Sequence, residues 1–170
     1  MVEMVSSRRA NPLYRAAPPD GAEKYEKMKV HMSTPWLLII DDEPEMAEEL
    51  AELCEASGFS TVTAGNLEPA LALLEKHRTI GAIASDLRMP GNDSSDLMRT
   101  LVAAVARLDR PCTLMVMTGH AGNAEREHAA SLGIHHFFSK PLDTVAFITT
   151  LKRVAREPSG GAQAAAGASR

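Results

Sequence analysis

Apolar residues fall along the middle of the chain in short runs, each followed by a longer stretch with helical spacing. Trp36-Leu37-Leu38-Ile39-Ile40 reads as a first strand, 36–40. Pro44 suits a first helical turn. Beyond it Met46, Ala47, Leu50, Leu53 and Cys54 recur at helical spacing, with Glu48, Glu49, Glu52 and Glu55 on the opposite face. Gly58 suits the position that closes this helix. Phe59–Thr63 is the second predicted strand, and Asn66 can cap a second helix with Leu67, Ala70, Leu71 and Leu74 inward. Ala82-Ile83-Ala84 starts a third strand that ends at Asp86. A third helix starts at Ser94 or Ser95, turns Leu97, Met98, Leu101, Val102 and Val105 inward, and stops at Arg110-Pro111. Strand four is 112–117. Helix four, about 123–132, is weakly apolar, with Ala124, Ala129, Ala130 and Leu132 inward. Strand five is 134–138, and helix five, about 143–155, carries Val145, Ile148, Leu151 and Val154.

Five strands alternating with five helices predict an α/β fold, a doubly wound parallel sheet. Right-handed crossovers put helices on both faces, and near-continuous apolar strands suit a sheet covered on both sides. The domain is expected over 34–156. Residues 1–33, rich in proline and mixed charge, read as a flexible extension, with Met28 and Met32 as later candidate translation starts. The low-complexity tail 157–170 is expected to be disordered. With no second domain in view, the expectation is a stand-alone module.

The chemistry collects where the strands end. Strand one stops at Asp41-Asp42-Glu43, strand three at Asp86 before Met89-Pro90-Gly91, strand four at Thr118-Gly119, and strand five at Ser139-Lys140-Pro141. Ligand sites of open α/β sheets lie outside the carboxyl ends of the strands. Parallel strands therefore bring three acids, a hydroxyl and an ammonium to one rim, a magnesium and phosphoryl site built around Asp86. Each residue alone has an ordinary reading: Asp42 and Glu43 as a helix cap, Thr118 as a turn residue, Lys140 as a solvated cation. Those readings fail jointly, because each residue closes a different strand on the same rim.

Composition narrows the partners. The net charge is −4, but residues 1–31 carry six Lys/Arg against four Asp/Glu, leaving twelve against eighteen for the rest. An acidic body supplies no cationic footprint for nucleic acid. Cys54 and Cys112 read as small core residues, and His120, His128, His135 and His136 show no ligand spacing. The chain has no membrane-length apolar run and no signal-peptide pattern, so a cytoplasmic location is expected.

These motifs, in this order and at these strand ends, resemble the response-regulator receiver domain, the CheY-like phosphoacceptor module, over about residues 36–155. The resemblance implies a flavodoxin-like sheet of order 2-1-3-4-5. It implies that Asp86 is phosphorylated by a sensor histidine kinase or a histidine phosphotransfer protein, and that Asp41, Asp42, Asp86 and the backbone carbonyl of Arg88 hold Mg2+. Thr118 matches the switch hydroxyl, Lys140 the phosphate-pairing lysine, and Phe137 the aromatic whose rotamer reports activation. Arg88 and His120, two residues past Asp86 and Thr118, match positions that tune acyl-phosphate hydrolysis. Ser94 departs from the glycine usual in the loop after the phosphoacceptor, with some expected backbone cost.

Magnesium and Lys140 would offset the charge of a transferring phosphoryl group. Thr118 would then hydrogen-bond a new phosphoryl oxygen, freeing space for Phe137 and biasing a bistable element. The readout is expected on helix four, strand five and helix five. The reading is a signalling switch rather than an enzyme, acting on an unidentified downstream protein, with a phosphorylation-dependent homodimer left open. A phosphorelay carrier and a non-phosphorylated interaction scaffold are the alternatives. An aspartyl phosphohydrolase fails for want of D-x-D-x-[TV] after strand one, and a dinucleotide-binding module for want of G-x-G-x-x-G.

Overall fold

The computed structural model describes residues 36–119 and 122–156. The expected extension 1–33, His120 and the tail 157–170 lie outside the described residues. In chain order the elements are β1 (Leu37–Ile40), α1 (Pro44–Ala56), β2 (Thr61–Ala64), α2 (Leu67–Lys76), β3 (Ala82–Asp86), α3 (Ser94–Ala106), β4 (Thr113–Thr118), α4 (Asn123–Ser131), β5 (His136–Ser139) and α5 (Thr144–Arg156). All strand pairs are parallel, in the order β2-β1-β3-β4-β5, as the resemblance implies.

The two-residue period of the strands divides the core between two faces. Leu38 and Ile40 of β1, Ile83 of β3, and Leu114 and Val116 of β4 pack with Ala70 and Leu74 of α2, Leu97, Met98 and Leu101 of α3, and Ala129 of α4. Leu37, Ile39, Ala82, Ala84, Met115 and Met117 face the other way, against Ala47 and Cys54 of α1 and Phe147 and Leu151 of α5. Every residue of β1 and β3 is buried, as expected of central strands with helices on both sides. Among the described residues no helix is long and apolar enough to cross a membrane.

The structure corrects several expected boundaries and phases. β2 begins at Thr61 instead of Phe59, because the Phe59 amide donates to Cys54 O and so closes α1. The Phe59 ring stacks on Trp36 at 5.5 Å between centroids. β5 begins at His136 instead of Ile134 for the same reason: the Ile134 amide donates to Ala129 O at the end of α4. Gly58 and Gly133 have positive φ at these two closures.

Met46 is 42% and Val145 76% exposed, so neither faces the core. In α5 the buried line is Phe147, Leu151 and Val154, which turns Val145 outward. Ala124 and Ala130 of α4 are also exposed. Asn66 occupies the cap position of α2 but makes no side-chain capping bond. α3 starts at Ser94, as expected, and Asp93 caps it, its carboxylate accepting from Ser95 N and Asp96 N at 2.9 and 3.2 Å. Ser94 is the first helical residue, a backbone ordinary for serine, so the expected backbone cost does not arise. Its hydroxyl donates to Leu87 O at 3.1 Å.

Candidate functional site

The rim at the carboxyl ends of β1, β3, β4 and β5 gathers the residues that the strand endings point to. Register explains the convergence. Ile40 pairs with Ser85, Asp86 with Met117, and Thr118 with Ser139, so the residues just past each pairing meet at one level. Asp41 and Asp86 are 3% and 4% exposed, and Asp42 is half-buried. Leu87 and Met89, both buried, anchor the loop beyond Asp86, and Gly91, at φ +79°, lets it turn back toward α3.

The carboxylates are held in place by backbone amides. Asp41 Oδ1 accepts from Glu43 N at 3.0 Å, and Asp86 Oδ1 accepts from Arg88 N at 3.0 Å. Their second oxygens share one cation: Lys140 Nζ donates to Asp41 Oδ2 at 2.9 Å and to Asp86 Oδ2 at 2.8 Å. Lys140 is itself held by its amide, which donates to Thr118 O at 2.8 Å; its peptide bond to Pro141 is cis. Burial alone would lower the Lys140 pKa. Its hydrogen bonds to Asp86 and Asp41, with their charges, outweigh that and raise it above the ordinary value.

Asp41, Asp42 and Asp86 offer one oxygen each within 4.8 Å of one another. Three hard oxygen donors, with no sulfur or imidazole among them, fit Mg2+ in preference to a softer ion. An open cleft of about 610 Å3 leads to them, lined by Asp42, Asp86, Arg88, Asn92, Gly119 and Lys140 among others. Arg88 is exposed at its edge. Thr118 is fully buried at the end of β4, one strand from Lys140. Phe137 is half-buried on the α4 side of β5.

Two contacts around this rim have no signature in the sequence. The Arg126 guanidinium of α4 lies over the Phe137 ring, 4.6 Å from its centroid, and donates to Ser139 Oγ at 2.7 Å. Ser95 Oγ of α3 and His128 Nε2 of α4 are hydrogen-bonded at 2.7 Å. Ser95 and His128 lie on different helices, 33 residues apart in the chain, and Arg126 reaches from α4 to the edge strand that follows it; no spacing rule pairs an exposed helix position with either partner.

Known proteins share this arrangement of elements and sequence. The response regulator receiver domain profile matches residues 37–152. The chain is 33% identical over 118 residues to the two-component response regulator PprB of Pseudomonas aeruginosa, covering 69% of this chain and 42% of that protein. It is also 33% identical over 118 residues to the transcriptional regulatory protein FixJ of Azorhizobium caulinodans, covering 67% of this chain and 52% of that one. The chain thus spans about half the length, or less, of these two curated relatives. A response regulator receiver protein from Pseudomonas putida superposes with a TM-score of 0.63 at 27% identity, over 71% of this chain and 97% of its own. Chemotaxis protein CheY4 of Vibrio cholerae, at 20% identity and a TM-score of 0.61 over 71% of this chain and 98% of its own, shares the fold. With the profile spanning most of the chain and the sheet order in agreement, the chain belongs to the response regulator receiver domain family of two-component systems.

Proposed function

We propose that this receiver accepts a phosphoryl group on Asp86 from the phosphohistidine of a sensor histidine kinase or a histidine phosphotransfer protein. The observation that carries the reading is the single ammonium of Lys140 bridging Asp86 and Asp41, beside a third carboxylate at the mouth of an open cleft. Asp41, Asp42, Asp86 and the Arg88 carbonyl would hold Mg2+, which when bound offsets the negative charge gathered by nucleophile and phosphoryl group.

The chain's own residues then have distinct tasks. An Asp86 oxygen forms the new P–O bond as the donor's P–N bond breaks, and the leaving imidazole takes a proton from solvent. The Arg88 amide orients the carboxylate. Lys140, already within hydrogen-bond reach of the nucleophile, pairs with the incoming phosphoryl oxygens. Such fixed positioning supplies most of what a loose phosphoryl-transfer transition state needs.

Phosphorylation adds oxygens that the Thr118 hydroxyl meets by moving toward Asp86, and Phe137 repacks into the space released. The α4–β5–α5 face carries the readout, because α4 fully buries only Ala129 and is the helix most cheaply displaced. Arg88 and His120, two residues past Asp86 and Thr118 in the sequence, tune how long the acyl phosphate lasts.

Intact mass after incubation with acetyl phosphate tests the reading. A gain of one phosphoryl group that requires Mg2+ and is lost in Asp86→Asn supports it. No gain, with no thermal stabilisation by Mg2+, would leave a receiver fold used as a binding scaffold.

A further inference from the structure

We propose that Arg126 is a positioning residue that holds Phe137 in its resting placement and so sets how readily the Asp86 site takes up a phosphoryl group. The second half rests on the phosphoacceptor reading above. Among the described residues β5 is an edge strand, so no further strand flanks Phe137. Phe137 and Ser139 are two residues apart on β5 and therefore point to the same face of the sheet, the one that α4 covers. Arg126 spans this pair, with its guanidinium 4.6 Å from the Phe137 ring centroid and a nitrogen 2.7 Å from Ser139 Oγ. Only a planar fork can stack on a ring and donate to its neighbour at once; a lysine would do one or the other.

The clasp reaches the site through the end of β5. Ser139 is the register partner of Thr118 and directly precedes Lys140, whose amide donates to Thr118 O and whose ammonium bridges Asp41 and Asp86. Repacking of Phe137 toward Thr118 would require its ring to leave the guanidinium. α4 fully buries only Ala129, so its seat depends heavily on two polar contacts, Arg126 to β5 and His128 to Ser95 of α3. Arg126 is accordingly a brake. It favours the resting packing, and any ligand that binds the other packing better must overcome it by the same factor. A cation–π contact at an exposed site changes such an equilibrium about two- to five-fold.

The test compares wild type, Arg126→Gln, Arg126→Lys and Ser139→Ala by NMR, with the phenylalanine rings isotopically labelled. Mg2+ with beryllofluoride serves as the phosphoryl analogue. In the free protein, Arg126→Gln and Arg126→Lys should both shift the Phe137 ring signals toward their analogue-bound positions, with Ser139→Ala moving less in the same direction. Half-saturation by beryllofluoride should fall about two- to five-fold in Arg126→Gln. Free-state ring signals of a folded Arg126→Gln that move no closer to the bound positions would overturn the proposal, as would an unchanged or raised half-saturation. Failure of the wild type itself to bind the analogue would instead refute the phosphoacceptor reading; NOEs from the Phe137 ring to α4, kept in wild type and lost in a folded Arg126→Gln, would then decide whether Arg126 holds Phe137.

Discussion

Lys140 Nζ sits 2.8 Å from Asp86 Oδ2 although 54 residues separate the two in the chain, and it sits 2.9 Å from Asp41 Oδ2 as well. One cation thus balances two nearly buried carboxylates before any metal arrives. The arrangement makes Lys140 both a structural counter-ion and a group poised for transfer, and the two roles separate experimentally.

Replacing Lys140 with Met should slow acetyl phosphate-driven phosphorylation about a hundred-fold, the scale on which one preorganised donor acts. The metal-free variant should also lose stability. Breaking a buried pair costs about 3–5 kcal/mol, and the 20% exposure of the Lys140 side chain brings that toward roughly 2 kcal/mol. The pH dependence has a definite sign. A lysine whose folded pKa is raised contributes stability that is complete below its ordinary value of 10.5 and is lost as pH rises through the folded value. Chemical denaturation should therefore show the gap between wild type and Lys140→Met closing above pH 10.5. A gap that is absent at pH 8, or that widens at high pH, would show that the bridge contributes no such stability.

Magnesium should stabilise the folded protein, since the three carboxylates proposed to hold it converge only there. At a hundred-fold excess over Kd the gain is about 2.7 kcal/mol, a rise in Tm of several degrees. EDTA should reverse it. Asp42→Asn should blunt it while leaving the Lys140 bridge intact, because Asp42 is the acid of the trio that Lys140 does not contact at hydrogen-bond distance. An Asp42→Asn protein with the full wild-type shift would remove Asp42 from the metal set.

The strand ends were legible because each chemical residue closes an apolar run, and a parallel sheet converts equal endings into one rim. That logic places Asp41, Asp42, Asp86, Thr118 and Lys140 without knowledge of any contact. It misplaces the starts of β2 and β5, where the Phe59 and Ile134 amides are spent on closing a helix before pairing begins. It also misjudges Met46 and Val145, because in a helix of 13 residues a few apolar positions fit more than one phase. In α5 the large ring of Phe147, edge-on to Phe138 at 5.2 Å between centroids, settles that phase. The Arg126–Phe137 contact had no signal to read, since an exposed arginine on a weak helix looks solvated until the edge strand is beside it.

The cysteines offer a check on the core. Burial, with Glu55 adjoining, pushes the Cys54 thiol up to about 12, and burial against an opposing pull from Arg110 pushes Cys112 up to about 12. The thiolate is the reactive form. At pH 8 both should react with a disulfide reagent far more slowly than a free thiol, and at the free-thiol rate once the protein is unfolded. Rapid native labelling at Cys54, which has no exposed surface, would show that α1 opens away from the sheet.

Gly81 is required by Trp36 rather than by backbone conformation. A Cβ at Gly81 would lie 2.5 Å from Trp36 Nε1 and 2.9 Å from Cε2, closer than real contacts allow. The indole is also stacked on Phe59, so it cannot yield without disturbing the start of β2. Gly81→Ala should therefore cost about 1–3 kcal/mol, the usual penalty of overpacking. Trp36 is the only tryptophan in the chain, so its fluorescence reports this collision directly. The variant should show a shifted emission maximum and a lower Tm. Mg2+-dependent phosphorylation at the opposite ends of the strands should persist below that Tm. Unchanged emission and stability would mean that the indole has another seat. Lost phosphorylation in a folded variant would mean that the amino end of the sheet is coupled to the Asp86 rim.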